Sequence, residues 1–371
     1  MSKTTEPVDL KRLYQASLEI IRDNQTDSGA FIASPNFRVY NYSWFRDGSF
    51  IANAMLLAGE NDSAYAFHQW AADIINQRAG RIIQLLAKNR AGVAIKLDEH
   101  LECRYTADGK EGSEPWTNFQ LDGFGTWLWS LKNFAASGAQ LSEQIIQASN
   151  LIVAYLCEFW SLDSFDWWEE NFGHQHISTL GSIGTGFVSY CELPGADEVL
   201  KAKASEQYDI IKELIQENGT REGRLTKWIE GDGLDSSLLA LFSPFNFIES
   251  KSAIGQNTIA AISTQLGVTG TYRHSHDSYF GGGRWPLLSS FLGLVLIDLG
   301  DLDQATNILE WVAFSSNQDL ELPEQVGDKL LFPKVRQEWV SRWGEPAIPL
   351  LWSHAMYIHL YLKLVEAGVQ L

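Results

Sequence analysis

The chain has 371 residues, 45% of them hydrophobic, which is enough to bury a large core. Its 46 acids against 28 bases give a formal charge of -18, which repels phosphate backbones and anionic headgroups; nucleic acid and membrane surfaces are therefore poor partners, and a neutral or cationic ligand is expected. Cys103, Cys157 and Cys191 lie far apart without a CxxC pair, and neither a secretory h-region nor a membrane-length apolar run is present, so a reducing, cytoplasmic setting is expected.

Helical periodicity begins at residues 8–23 and recurs over 48–58, 62–89, 119–136, 142–158, 177–190, 196–217, 234–242, 252–266, 286–299 and 303–315. In a last segment, Leu351, Ala355, Ile358, Leu362 and Val365 fall on one face, which should pack inward. Gly59, Gly138, Gly219, Gly267, Gly300 and Gly368 stand where helices should stop. No linker or low-complexity tract divides the pattern, so 1–371 reads as one all-α domain. No fixed-period repeat is visible, which favours a closed ring of helical hairpins over a regular solenoid.

Between the helices, six segments (31–47, 102–118, 160–176, 228–235, 270–285 and 318–347) concentrate Gly, aromatic and charged residues, as functional loops do. Trp44, Trp116, Trp168, Trp285 and several other tryptophans lie there rather than in helix interiors. Indoles beside acids and arginines suit a ligand with apolar ring faces and hydroxyl edges, and a sugar has both. In "FDWWEENFG", Phe165 to Gly173, a carboxyl pressed against an indole loses solvation and retains its proton, so Glu169 or Glu170 can serve as a general acid. "DLELPEQVGD" offers Glu321 and Glu324 as a base. Inverting glycoside hydrolysis needs such a pair roughly 6.5 to 9.5 Å apart, with a water between them. Arg46 and Asp47 in "YNYSWFRDGSF" form either a sugar clamp or a helix N-cap with its ion pair, and Arg273 in "GTYRHSHDSYFGGGRW" is a second clamp candidate. The pairs His174/His176 and His274/His276 lack a third ligand at fixed spacing and read as hydrogen-bonding groups; no metal and no cofactor is expected. Walker, G-x-G-x-x-G and G-x-S-x-G motifs are absent.

Seven motifs in order, "YNYSWFRDG", "WTNFQLDGFG", "FDWWEE", "LDSSLLAL", "YR" to "YFGGGRW", "ELPEQ" and "PLLWSHA", make nearly the whole chain resemble glycoside hydrolase family 15, the glucoamylase family. The resemblance implies an (α/α)6 barrel that releases glucose from non-reducing ends with inversion. It implies Glu169 as general acid and Glu324 as general base. Arg46, Asp47 and Arg273 would hold the terminal glucose, Glu170 would contact it, and Trp116, Trp168 and Tyr40 would wall it. Gln120 and Asp122 would orient the loop of Trp116, with Trp44, Trp285 and Trp352 completing the pocket. The helical pattern starts by about residue 8, so the N-terminal β-sandwich of bacterial members is not expected, nor is a starch-binding extension. "HSHDS" after Arg273 departs from the family's usual run and bears on the second sugar. Short substrates such as isomaltose or maltose are expected; a trehalase or a non-catalytic sugar-binding regulatory domain are the rivals.

Overall fold

A computed structural model describes residues 8–371. Its fourteen helices are α1 (Leu10–Asp23), α2 (Phe45–Leu57), α3 (Asn61–Gln77), α4 (Ala79–Arg90), α5 (Asp122–Ala136), α6 (Glu143–Phe159), α7 (Ile177–Cys191), α8 (Glu198–Asn218), α9 (Leu239–Phe242), α10 (Ala253–Leu266), α11 (Pro286–Leu299), α12 (Leu302–Phe314), α13 (Arg336–Trp343) and α14 (Leu351–Glu366). Several begin on side-chain caps that satisfy the free N–H groups of the first turn: Asp9 for α1, Ser142 for α6, Asp197 for α8, Ser252 for α10 and Asp301 for α12. Two pairs of two-residue strands join loops, β1 (Ser43–Trp44) with β2 (Arg104–Tyr105) and β3 (Thr220–Arg221) with β4 (Arg224–Leu225), both antiparallel.

Burial sorts the helices into two shells. The helices α2, α5, α7, α9, α11 and α14 are buried on nearly every side, whereas α1, α3, α6, α8, α10 and α12 bury one stripe. The inner six contact one another in the order α2, α5, α7, α9, α11, α14 and back to α2, which closes a ring. This is the expected (α/α)6 barrel. The ring is not hollow: Phe50, Trp129, Trp167, Phe245, Phe291 and Trp352 interlock across its axis, with Phe50 stacked 5.3 Å from Trp352 and 5.6 Å from Phe245. Rings of this size carry much of the buried apolar area, and they seal the barrel below the loops.

Elsewhere the helices touch through glycine. A methyl on Gly125 of α5 would sit 2.4 Å from the Ser182 carbonyl oxygen of α7, and one on Gly186 would meet Gly125 itself. Gly125→Leu should therefore lower stability by about 3 kcal/mol or more, because the helices must part. Chemical unfolding measures this, and a wild-type midpoint would contradict so close a crossing.

Four local expectations need correction. The segment 62–89 is two helices, broken at Arg78 (φ -102°, ψ 11°), whose guanidinium donates to the Ile74 and Gly109 carbonyls and lies 4.3 Å from the Tyr105 ring centroid. The segment 234–242 is a short 3-10 turn, Ser236–Leu238, followed by four α-helical residues, because Pro244 cannot continue a helix. The expected loop 318–347 contains α13, which places Trp339 and Trp343 one turn apart. Val365, expected inward, is 47% exposed, since α14 is buried all round in its early turns and emerges at its end. Of the glycine stops, Gly59, Gly138, Gly267, Gly300 and Gly368 adopt positive φ, while Gly219 has φ -97°.

Candidate active site

The loops entering the inner helices surround a cavity of about 550 Å³. Tyr40, Trp44, Arg46, Asp47, Trp116, Trp168, Glu169, Glu170, Arg273, Trp285, Glu324 and Trp352 all line it, so residues far apart in the chain meet as expected. Gln120 and Asp122 do not line it. They lie behind Arg46, whose Nη1 donates to Gln120 Oε1 and Asp122 Oδ2, each at 3.0 Å. Gln120 also donates to the Thr117 carbonyl and so anchors the Trp116 loop, but direct sugar contact by this pair is not what the geometry provides. Glu321 is outside the cavity, bonded to Asn317, which leaves Glu324 as the carboxyl of that segment facing it.

Asp47 is not an N-cap. Trp44 occupies that position, and Asp47 sits in the first turn of α2 with Oδ2 lacking any hydrogen-bond partner. Burial raises its carboxyl to about 6, against the pull of Arg46. Arg46 is held above Trp352 and Trp167, 5.6 and 5.9 Å from their ring centroids. Arg273 is fixed more fully: Asp277 grips its guanidinium twice, Glu170 accepts from its Nη2 at 3.1 Å, and the Trp168, Tyr279 and Trp285 rings surround it. Although burial works the other way, Arg273 and then His274 hold the Glu170 carboxyl down at about 2, so Glu170 is an anion that can accept hydroxyl hydrogens.

The two remaining carboxyls have different neighbours. Glu169 is half-buried and accepts from Trp44 Nε1 at 2.6 Å. Burial raises its pKa, opposed by the Arg46 charge and by hydrogen bonds from Gln120 and Trp44. Its backbone φ is 66°, a region in which non-glycine residues carry strain of about 1–3 kcal/mol. Glu324 accepts from Tyr40 Oη at 2.8 Å, Tyr40 shares a 2.9 Å hydrogen bond with Tyr279, and Glu324 Oε2 has no partner. Burial pushes the Glu324 carboxyl up to about 8, against Tyr40 and Arg273. The resemblance implies an ionised Glu324 opposite a protonated Glu169; in the structure burial raises both carboxyls, each against a nearby arginine, Arg46 for Glu169 and Arg273 for Glu324. A carboxyl whose burial favours its protonated form can hold a proton for transfer, and that is what acid and base catalysis needs.

Sequence reasoning missed several members of the site. Tyr279 and Asp277 lie in the quoted "HDSYF" run, and Asp277 stands four residues after Arg273, a pairing hidden until the turn is seen. Trp339, Arg342 and Trp343 of α13 form part of the rim. Arg104 stacks 3.8 Å from the Trp116 centroid and 4.1 Å from that of Tyr42, and stiffens one wall from behind. Of the histidines, His174 stacks on Trp228, His176 Nε2 lies 3.0 Å from the Asn171 carbonyl oxygen, and His274 lies 3.6 Å from Glu170. Among the described residues no group of three or more His, Cys, Asp or Glu is arranged to hold a metal, and no helix is long and apolar enough to cross a membrane.

The family model for glycosyl hydrolases family 15 matches residues 10–284. The chain belongs to that family. It is 38% identical over 354 residues to the isomaltose glucohydrolase of Kribbella flavida, covering 95% of this chain and 92% of that protein. A glycosidase variant solved in complex with glucose superposes with a TM-score of 0.93 at 38% identity, covering 96% of this chain and 97% of that one. The glucoamylase of Saccharomycopsis fibuligera shares the fold, with a TM-score of 0.75 at 14% identity, covering 100% of this chain and 99% of that one. This family 15 protein is a glycoside hydrolase.

Proposed function

We propose that the chain is an inverting, exo-acting α-glucoside hydrolase, releasing β-glucose from the non-reducing end of short substrates such as isomaltose or maltose. Glu169 protonates the leaving oxygen, and Glu324 takes a proton from the attacking water. One observation carries this reading: two carboxyls from distant loops, each with its own aromatic donor, share a sugar-sized cavity in which a third carboxyl, Glu170, is already ion-paired. Arg46, Asp47, Glu170 and Arg273 bind the hydroxyls of the terminal glucose. Tyr40, Trp44, Trp116, Trp168, Trp285 and Trp352 enclose its faces, with Gln120 and Asp122 supporting from behind. The preference for isomaltose rests on likeness to the Kribbella enzyme. Three unpaired cysteines suit a cytoplasmic setting.

The reading is tested by following the anomer of released glucose by NMR on isomaltose, maltose and trehalose. β-Glucose should appear first and α-glucose only by mutarotation. Initial α-glucose would overturn inversion, cleavage of trehalose alone would make the enzyme a trehalase, and binding without release would make it a sugar sensor.

A further inference from the structure

The loop that presents Glu169 is tied down by a residue outside the cavity. Asp166 is its hub: Oδ1 accepts the backbone N–H groups of Trp168 and Glu170 at 3.0 and 2.8 Å, and Oδ2 accepts from the Asn171 amide at 2.9 Å. These bonds span two residues with left-handed backbone, Glu169 and Asn171, a conformation that persists only where surrounding structure imposes it. Asp235, from the next loop, accepts the Trp168 indole N–H through both oxygens, at 3.0 and 2.9 Å, and the Ser237 backbone N–H and hydroxyl at 2.9 and 2.7 Å. Between these two buried carboxylates lies one ammonium. Lys227 Nζ stands 3.0 Å from Asp166 Oδ2 and 2.9 Å from Asp235 Oδ2. Lys227, Asp166 and Asp235 are all at least nine-tenths buried, so each carboxylate depends on that ammonium for charge balance.

We propose that Lys227 is a positioning residue for catalysis: by bridging Asp166 and Asp235 it locks the acid-bearing loop to the Trp168 wall, and so sets where the Glu169 carboxyl meets the leaving oxygen. This rests on the reading of Glu169 as the acid. The backbone of Lys227 adds a second tie, because its carbonyl accepts from Ile177 N–H at the head of α7 and its own N–H donates to Gly233. The lysine therefore stands at the junction of three elements: the acid loop, the start of α7 and the loop leading to α9. Without the ammonium, Asp166 and Asp235 repel one another across the site, and the bonds that hold Glu169 in its left-handed conformation lose their anchor. A shift of about 1 Å at the acid costs on the order of 100-fold in rate.

The test compares Lys227→Met with wild type on isomaltose, which needs protonation of a poor leaving group, and on α-glucosyl fluoride, which does not. Loss on isomaltose should be on the order of 100-fold in kcat, with KM little changed, and loss on the fluoride under about fivefold. Equal losses on both substrates, with a lower melting temperature, would reduce Lys227 to an ordinary stabilising residue, and no loss on either would remove the proposal. Asp235→Asn keeps the shape and one acceptor for Trp168 while weakening the bridge; it should show the same selectivity in milder form, and it decides the matter if Lys227→Met does not fold. Glu169→Gln is the control. If it too fails to separate the substrates, the acid assignment is what falls. If it separates them and the Lys227 and Asp235 variants do not, the positioning role falls alone.

Discussion

Replacing Glu169 with Gln is expected to slow isomaltose hydrolysis by about 10²- to 10⁴-fold, the usual contribution of a positioned general acid. Hydrolysis of α-glucosyl fluoride should fall far less, because fluoride departs without a proton. Gln retains an oxygen for the 2.6 Å hydrogen bond from Trp44 Nε1, so the wall of the cavity should survive the change. The measurement is kcat/KM on both substrates at one pH. Equal losses would take Glu169 out of the acid role and leave it a structural partner of Trp44.

Glu324→Gln should abolish turnover on both substrates, since water must be deprotonated whichever group leaves, while glucose affinity changes little. Activity near wild type would remove Glu324 as base. The same variant carries a second signature in stability. The folded carboxyl titrates at about 8, above its ordinary value of 4.5, so its contribution is intact below about 4.5 and is lost as pH rises through 8. Gln imitates the protonated form, so the variant should gain on the order of 3 kcal/mol at neutral pH. A variant that loses activity and melts higher therefore carries the mark of a functional carboxyl held in a desolvated place.

The pair also predicts the wild-type pH profile. On the proposed acid-and-base roles, the active form carries one proton on Glu169 and Glu324 together. As pH falls, both become protonated and no base remains; as pH rises through about 8, the last proton leaves and no acid remains. The kcat/KM curve should be bell-shaped with its alkaline limb near 8, and a plateau extending beyond pH 10 would contradict it.

Much of the fold and the cavity was legible in the sequence because both follow from strong local constraints. A helix buried on one side repeats at 3.6 residues, and a sugar site draws on few side-chain types: broad rings, arginines and carboxyls. Lys227 was not legible, since in "RLTKWIE" it is indistinguishable from a solvated surface lysine until the fold brings Asp166 and Asp235 to either side of it. The layer that Gln120 and Asp122 occupy was hidden for a related reason: adjacency to Trp116 along the chain does not say that both lie behind Arg46 and outside the cavity. The helix α13 went unseen because its polar composition masks the Trp339 and Trp343 pair, whose four-residue spacing was its one signal. Glu169 and Glu324 do line one cavity, but how burial and neighbours act on each carboxyl is decided only by tertiary structure.

The aromatic plug across the barrel axis has a kinetic consequence. With Phe50, Trp167 and Trp352 closing the inner end, a freed sugar has no rear exit and must back out through the mouth by which its successor enters. Product and incoming substrate therefore queue for one doorway, and accumulated glucose should compete directly with the disaccharide. With the proposed exo action, a longer oligosaccharide would have to let go and re-dock each time it is shortened.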